Sequence, residues 1–276
     1  MMTERQRRFR EQYVAQISPW YHGLVHIGVM YTAGIGAIAW CASRMQDARW
    51  EWLLLIPVAI AGNFIEWGMH KYVMHRLRDV FALRAIYDRH TRQHHQYFTD
   101  NDVTIHTIRE FRIVFFPWRV LAVLAVAGSL ISLAMAQVFN ANAGYVTFVT
   151  MIGHYMVYET FHFCCHVPDN AFVRNVPFIN TIRRHHTAHH NMGIMMHFNM
   201  NLTFPVADWF MGTSDLNRGL LGHLFNGYDQ SYLKDDLKPV IARFRTAQTQ
   251  DERCTLDGPV LTADEAGSLA RAGGQA

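Results

Sequence analysis

Histidine is the residue type in this chain whose number and spacing suggest chemistry. Seventeen occur in 276 residues, and eleven of them fall in four compact groups. These are His70-Lys-Tyr-Val-Met-His75, His90-Thr-Arg-Gln-His94-His95, His162-Phe-Cys-Cys-His166 and His185-His186-Thr-Ala-His189-His190. Neutral imidazole is a good ligand for iron, zinc, copper and nickel. On a helix of 3.6 residues per turn, His162 and His166 lie about 40° apart and face the same way. They can share one metal. His186 and His189 also share a face, whereas His190 is turned about 100° from His189. An H-x-x-H-H group thus offers imidazoles in two directions, which suits a two-metal centre. His70 and His75 are five apart, so they either serve different metals or meet through a local π-bulge. The last group leaves a choice between His185 and His186. An expression tag is contiguous and terminal, whereas these groups are internal and spread over about 120 residues. Elsewhere His22 and His26 share a helix face and read equally well as packing or headgroup contacts. His106, His154, His197 and His223 stay open: His154 lies eight residues before His162, and His197 closely follows the last group.

Three carboxylates stand near these groups. Glu66 precedes His70 by four and Glu159 precedes His162 by three, each on the same helical face as a candidate ligand. A carboxylate inside an apolar helix is costly and needs a reason. Accepting the second ring N–H of a ligand histidine is one; pairing with an interfacial Arg or Lys is another. Asp208 is a similar case, for which an N-cap or a surface role serves as well.

The elements that must position these groups follow from composition. Hydrophobic residues make up 50% and charged residues only 17%, against about 25% charged in soluble domains. The charges are missing from long blocks, which excludes a disordered chain, a coiled coil and an ordinary soluble domain, and points to a membrane. The net charge of +3, with no long basic stripe, argues against nucleic acid as a partner. Four cysteines without C-x2-C spacing make no disulfide framework. The 24 residues from Trp20 to Ser43 carry no charge, which suffices for a span. They start too late and run too long for a signal peptide. A second apolar block runs from Trp52 through Glu66 to His70. The 39 uncharged residues from Val120 to Tyr158 are too many for one span and break at Asn140-Ala-Asn-Ala-Gly144. Four spans are expected, at about 20–43, 50–70, 113–139 and 143–163, joined as two hairpins. A basic segment at 1–19 precedes them, the membrane domain extends to 247, and 248–276 reads as a flexible tail.

Basic residues flank the spans at Arg5–Arg10 and, between the second and third, from Lys71 through Arg76, Arg78, Arg84, Arg89 and Arg92 to Arg109 and Arg112. The bias makes both segments, and both termini, cytoplasmic. The connections at 44–51 and 140–144 then face the other side. Two crossings separate the second histidine group from the third, so all four groups return to one face of the bilayer. The expected fold is all-α: an integral membrane protein with four transmembrane helices and a cytosolic helical cap carrying a histidine-rich dimetal site.

In this order and topology the groups resemble the fatty acid hydroxylase superfamily of membrane-bound histidine-box proteins, whose pattern is H-x3–4-H, H-x2–3-H-H, a further pair and H-x2–3-H-H. The matching residues are His70 and His75; His90, His94 and His95; His162 and His166; and His186, His189 and His190. Three stretches look most similar to the fatty acid 2-hydroxylases, with sterol desaturases as further relatives: Phe64–His75, Tyr158–His166 and Phe204–Thr213. The resemblance covers roughly residues 50–215. The second box has three residues between its first histidines where the 2-hydroxylases have two. The family's last box is H-x2-H-H, which favours His186 over His185. The resemblance implies that those ten histidines hold two iron ions, with zinc as an occupant after purification. It also implies dioxygen as cosubstrate and hydroxylation of an unactivated C–H bond of a lipid, in the first place a fatty acyl chain. A desaturase or oxidase of sterols, carotenoids or other isoprenoids is the alternative on the same site, and a non-enzymatic metal-binding membrane protein is a third class. No haem domain precedes the first span, so a separate electron donor is expected, of the b-type cytochrome or ferredoxin-reductase kind. The aromatic segments Phe111–Trp118 and Phe204–Phe210 are candidates to line the lipid's access. The short loops favour a bacterial inner membrane.

Overall fold

The computed structural model describes residues 2–250, with side chains to residue 245. Every regular element among them is helical, and extended pairing is limited to two isolated bridges, Thr99 with Asp102 and Leu216 with Leu233. The chain divides into two compact units: residues 18–65 with 107–160, and residues 2–17, 66–106 and 161–250. The expected tail at 248–276 lies outside the described residues from 251 on, and its first three positions end the helix Leu237–Gln250.

Three helices are long and apolar enough to cross a membrane: Gly23–Arg44, Trp50–Met74 and Trp118–Val138. Their large apolar side chains are mostly exposed, among them Val25, Val29 and Ile35 on the first, Ile56, Ile60 and Ile65 on the second, and Val123, Val126 and Leu130 on the third. Helices in lipid need no apolar partner on such faces, because their backbone polar groups are satisfied internally. The second of these runs is composite. It opens as a 3-10 turn over Trp50–Leu54, continues as α-helix over Leu55–Met69 and ends as a π-helix over His70–Met74. It therefore extends beyond the expected 50–70. The third starts later than expected. A short helix Phe111–Val114 is followed by an extended Phe115 and by Pro117, and the long helix begins only at Trp118. Proline restricts the residue before it and cannot continue a helical ladder.

The region expected as the fourth span lies in the 26-residue helix Ala141–His166, which is not among the three. Asn142, Thr147, Thr150, His154, Glu159, Thr160, His162 and His166 dilute its apolar character. The hydroxyls of Thr147, Thr150 and Thr160 bond to carbonyls four residues back in the same helix.

Within the apolar unit, the two short connections meet. Asn142 exchanges hydrogen bonds with the backbone of Gln46, and Asn140 Nδ2 donates to Glu51 Oε1 at 2.8 Å. Asn140 also caps the following helix by accepting the Ala143 amide at 3.0 Å. Small residues allow close helix approach here, as in membrane bundles generally. A Cβ on Gly144 would stand 2.7 Å from Ser132 O and 2.8 Å from Ala136 Cβ. We predict that Gly144→Ala costs about 1–3 kcal/mol by overpacking the hairpin, read as a lower thermal midpoint in detergent. An unchanged midpoint would contradict this packing.

Candidate metal centre

The histidine-bearing unit is built so that its imidazoles point inward. The π-helix over His70–Met74 is closed by a bond from His75 N to His70 O, and that over Asp88–His94 by one from His95 N to His90 O. An i→i+5 bond brings residues five apart to neighbouring turns. His70 with His75, and His90 with His95, therefore present their rings together. His162 with His166, and His186 with His190, do the same at four apart on ordinary α-helix.

All ten histidines matching the family pattern meet, and none is more than 4% exposed. They sort into two groups. In the first, His70, His75, His90, His95 and His189 place their ligand nitrogens within 4.8 Å of one another. Nε2–Nε2 separations are 2.8 Å for His70–His90, 3.2 Å for His70–His75, 3.0 Å for His75–His189 and 3.1 Å for His90–His95. In the second, His94, His166, His186 and His190 are similarly close. His162 joins them through its Nε2, 3.3 Å from His94 and 3.2 Å from His166. His166–His186 and His186–His190 close that group at 3.1 and 3.0 Å. His94 therefore parts from His90, and His189 from His186, although the spacing puts His186 and His189 on one face. The π-turn pairs His90 with His95 instead of His94, and on the last helix the ring four residues on, His190, joins His186.

Whether these rings fit a cation depends on where their protons lie. His70, His166, His189 and His190 each donate Nδ1–H to a backbone carbonyl, at 2.5 Å to Met200, 2.7 Å to Val103, 2.9 Å to Phe198 and 2.9 Å to Phe98. A carbonyl only accepts, so Nδ1 carries the proton and Nε2 is bare. Thr91 gives its own proton to Met74 O, so at 3.3 Å it accepts from His75 Nδ1. The Nε2 contacts of His75 with His70 and His189 therefore set lone pair against lone pair, which is repulsive unless a cation sits among them. His166 and His190 likewise both turn bare nitrogens on His186. Ligand nitrogens about 2.1 Å from one ion stand about 3 Å from each other, the spacing found here. Each group fits one cation, and an all-imidazole donor set suits iron, zinc, copper or nickel.

Glu66 and Asp208 sit one layer further out. Glu66 accepts from the amides of Leu202 and Thr203, and from the Thr203 hydroxyl at 2.7 Å. It thereby holds the loop whose Met200 carbonyl orients His70. Asp208 receives His185 Nε2 at 2.9 Å, the Asn201 amide at 2.7 Å and the Thr213 hydroxyl at 2.6 Å. Burial pushes its carboxyl up, yet His185 and these donors hold it below the usual carboxylate range. His185 is therefore the partner of Asp208, while His186 faces the cluster. Glu159 accepts the Phe116 amide at 3.2 Å. His154 packs against Gly62, and His106 and His197 are exposed and outside both groups. His223 is buried away from both groups and hydrogen-bonds the Gly219 carbonyl at 3.1 Å.

Sequence reasoning missed the groups that fix the rings. Four are backbone carbonyls, which have no residue signature. Thr91 sits beside His90 and had no distinguishing pattern. The buried pair Arg184–Asp215, at 2.7 and 2.5 Å, anchors the helix Ile179–His189 and reads in the sequence as two ordinary charges. Comparison of the chain with protein-family models, with curated proteins and with solved structures gives no match.

Burial, and after it the neighbouring imidazoles, hold His75, His90, His95, His186, His189 and His190 well below the ordinary histidine value. The folded chain keeps them neutral where an unfolded chain, below about pH 6.5, protonates them. The unfolded state then binds more protons, so stability falls with acid. We predict a thermal midpoint that is level above about pH 7 and drops as pH falls from about 6.5 toward 5. A midpoint that holds or rises across that window would contradict the neutral assignment.

Proposed function

We propose that this protein is a membrane-bound oxidoreductase that holds two irons and hydroxylates an unactivated C–H bond of a lipid, in the first place an acyl chain. The observation that carries this reading is the pair of five-imidazole groups with opposed lone pairs, in a chain with three helices apolar enough to span a membrane. The box pattern, shared with the fatty acid hydroxylase superfamily, supplies the chemistry. His70, His75, His90, His95 and His189 would hold one ion, and His94, His162, His166, His186 and His190 the other. When bound, such a pair supplies the dioxygen chemistry that side chains lack.

The chain's own residues then orient, shield and bind. The carbonyls of Val103, Phe98, Phe198 and Met200 fix four tautomers and ring planes. Complete burial of the rings keeps water from the ligand nitrogens. Phe161, next to His162, meets Phe204 at 5.6 Å; Phe204 meets Phe178 at 5.4 Å, and Phe178 meets Phe225 at 4.8 Å. Phe225 is 56% exposed, so this aromatic row reaches the surface from the apolar cluster of Cys164, Val173 and Ile179, on which Phe161 packs, and its apolar faces suit an acyl chain. Phe178 sits at φ 66°, a region costly for a bulky side chain; strain of this kind supports a functional placement. The uncharged run ending at Tyr158 supports a fourth span within Ala141–His166, the placement of Lys and Arg supports a cytoplasmic site, and the short loops favour a bacterial inner membrane. Electrons come from a separate donor protein of the b-type cytochrome or ferredoxin-reductase kind.

The test is an untargeted lipid comparison between cells expressing the intact chain and cells expressing His189→Ala with His190→Ala, with an electron donor supplied. The intact chain is expected to give a lipid heavier by one oxygen atom, absent in the variant. A lipid lighter by two hydrogens would instead assign desaturation, and identical lipids in both strains would contradict an enzyme.

A further inference from the structure

The rings of the two histidine groups are oriented by two different loops, and each loop has its own clamp. Val103 O and Phe98 O take the Nδ1 protons of His166 and His190, both in the second group. The Phe98 ring also stacks on His166, with centroids 4.0 Å apart and planes at 26°, and Ile105 N donates to His166 O at 2.8 Å. Met200 O and Phe198 O take those of His70 and His189, both in the first. Neither loop is part of a regular element, so a carbonyl on it is only as fixed as the loop.

What fixes the loop around Phe98 and Val103 is the N-terminal helix Glu4–Ala15. Gln6 and Arg10 stand one turn apart on it, and both are buried although polar, at 2% and 5% exposure. Gln6 Nε2 donates to Tyr97 O at 2.9 Å and Asp102 O at 2.7 Å, and Gln6 Oε1 accepts the Thr99 hydroxyl at 3.0 Å. Arg10 donates Nε to Tyr97 O at 2.8 Å, Nη1 to Thr104 O at 2.8 Å and Nη2 to Asp102 O at 2.9 Å. Its guanidinium lies 4.9 Å from the Tyr97 ring centre and 5.3 Å from that of Phe98. A single planar fork thus holds both ends of the loop, a geometry that a lysine ammonium cannot reproduce. The other loop is held by Glu66 and Asp208, as described above, without using either residue.

We infer that Gln6 and Arg10 are positioning residues for the second histidine group alone, and that Glu66 performs the same service for the first. The inference rests on the two-cation reading and adds that the ring-orienting loops of the two sites are clamped separately. Each ion can therefore be loosened without the other.

The test uses the full chain in detergent, loaded with zinc, with the metal-to-protein ratio followed during exposure to a chelator. The intact chain is expected to hold two equivalents. In Arg10→Lys one equivalent leaves faster by about tenfold, the low end for loss of an outer-layer partner, while the other keeps its original rate. Glu66→Gln gives the same pattern. The equivalents are assigned with a ligand change in each group. Arg10→Lys accelerates release of the single equivalent left by His75→Ala and leaves that left by His186→Ala unchanged. If Arg10→Lys yields no folded protein, Thr99→Val removes only the hydroxyl bond to Gln6 and gives the same contrast at smaller amplitude. Two equivalents released faster together, or neither, overturns the inference while leaving the two-cation reading intact. An intact chain that takes up no zinc overturns both.

Discussion

The arrangement depends on one electrostatic constraint: bare imidazole nitrogens are packed about 3 Å apart where no water reaches them. Without a positive charge between them, the lone pairs of His70, His75 and His189 repel, and burial strengthens that repulsion because the interior screens poorly. Protonating the rings offers no relief, because charged imidazolium is still more costly there. A cation in each group reconciles the two demands at once. Metal affinity and folding are then the same free energy to a large extent, since an unfolded chain has no such site.

Everything around the groups serves to keep ten rings in that costly disposition. π-turns at the ends of two helical segments bring residues five apart into register, and α-turns do so for residues four apart. Backbone carbonyls from two loops then select the tautomer that leaves Nε2 bare. The loops are irregular, so they are tied down by polar side chains that are themselves buried: Glu66 and Asp208 for one, Gln6 and Arg10 for the other. Unpaired, such groups would cost several kcal/mol each. Paired with loop amides and carbonyls, they turn flexible segments into fixed ones.

Much of this was legible in the sequence, and the reason is helical periodicity. The boxes name the ten rings that meet, and spacing alone separates His189 from His190 into different directions. It also posed the choice between separate metals and a π-bulge for His70 and His75, and the structure shows a π-turn. Apolar block lengths located three long helices, but the start at Trp118 needed the effect of Pro117, and the polar content of Ala141–His166 sets it apart from the others. Glu66 was legible as a buried carboxylate needing a reason, yet its partners are amides 136 and 137 residues away. No local pattern encodes such a contact. The same holds for Gln6 and Arg10, which read as members of a basic N-terminal segment and turn out to be buried.

The most direct test is a density map of the intact, metal-loaded chain with anomalous signal at the metal edge. The account predicts two peaks, one within about 2.2 Å of Nε2 of His70, His75 and His189, the other similarly close to Nε2 of His166, His186 and His190. A single peak, or rings turned away from one another around none, would contradict it.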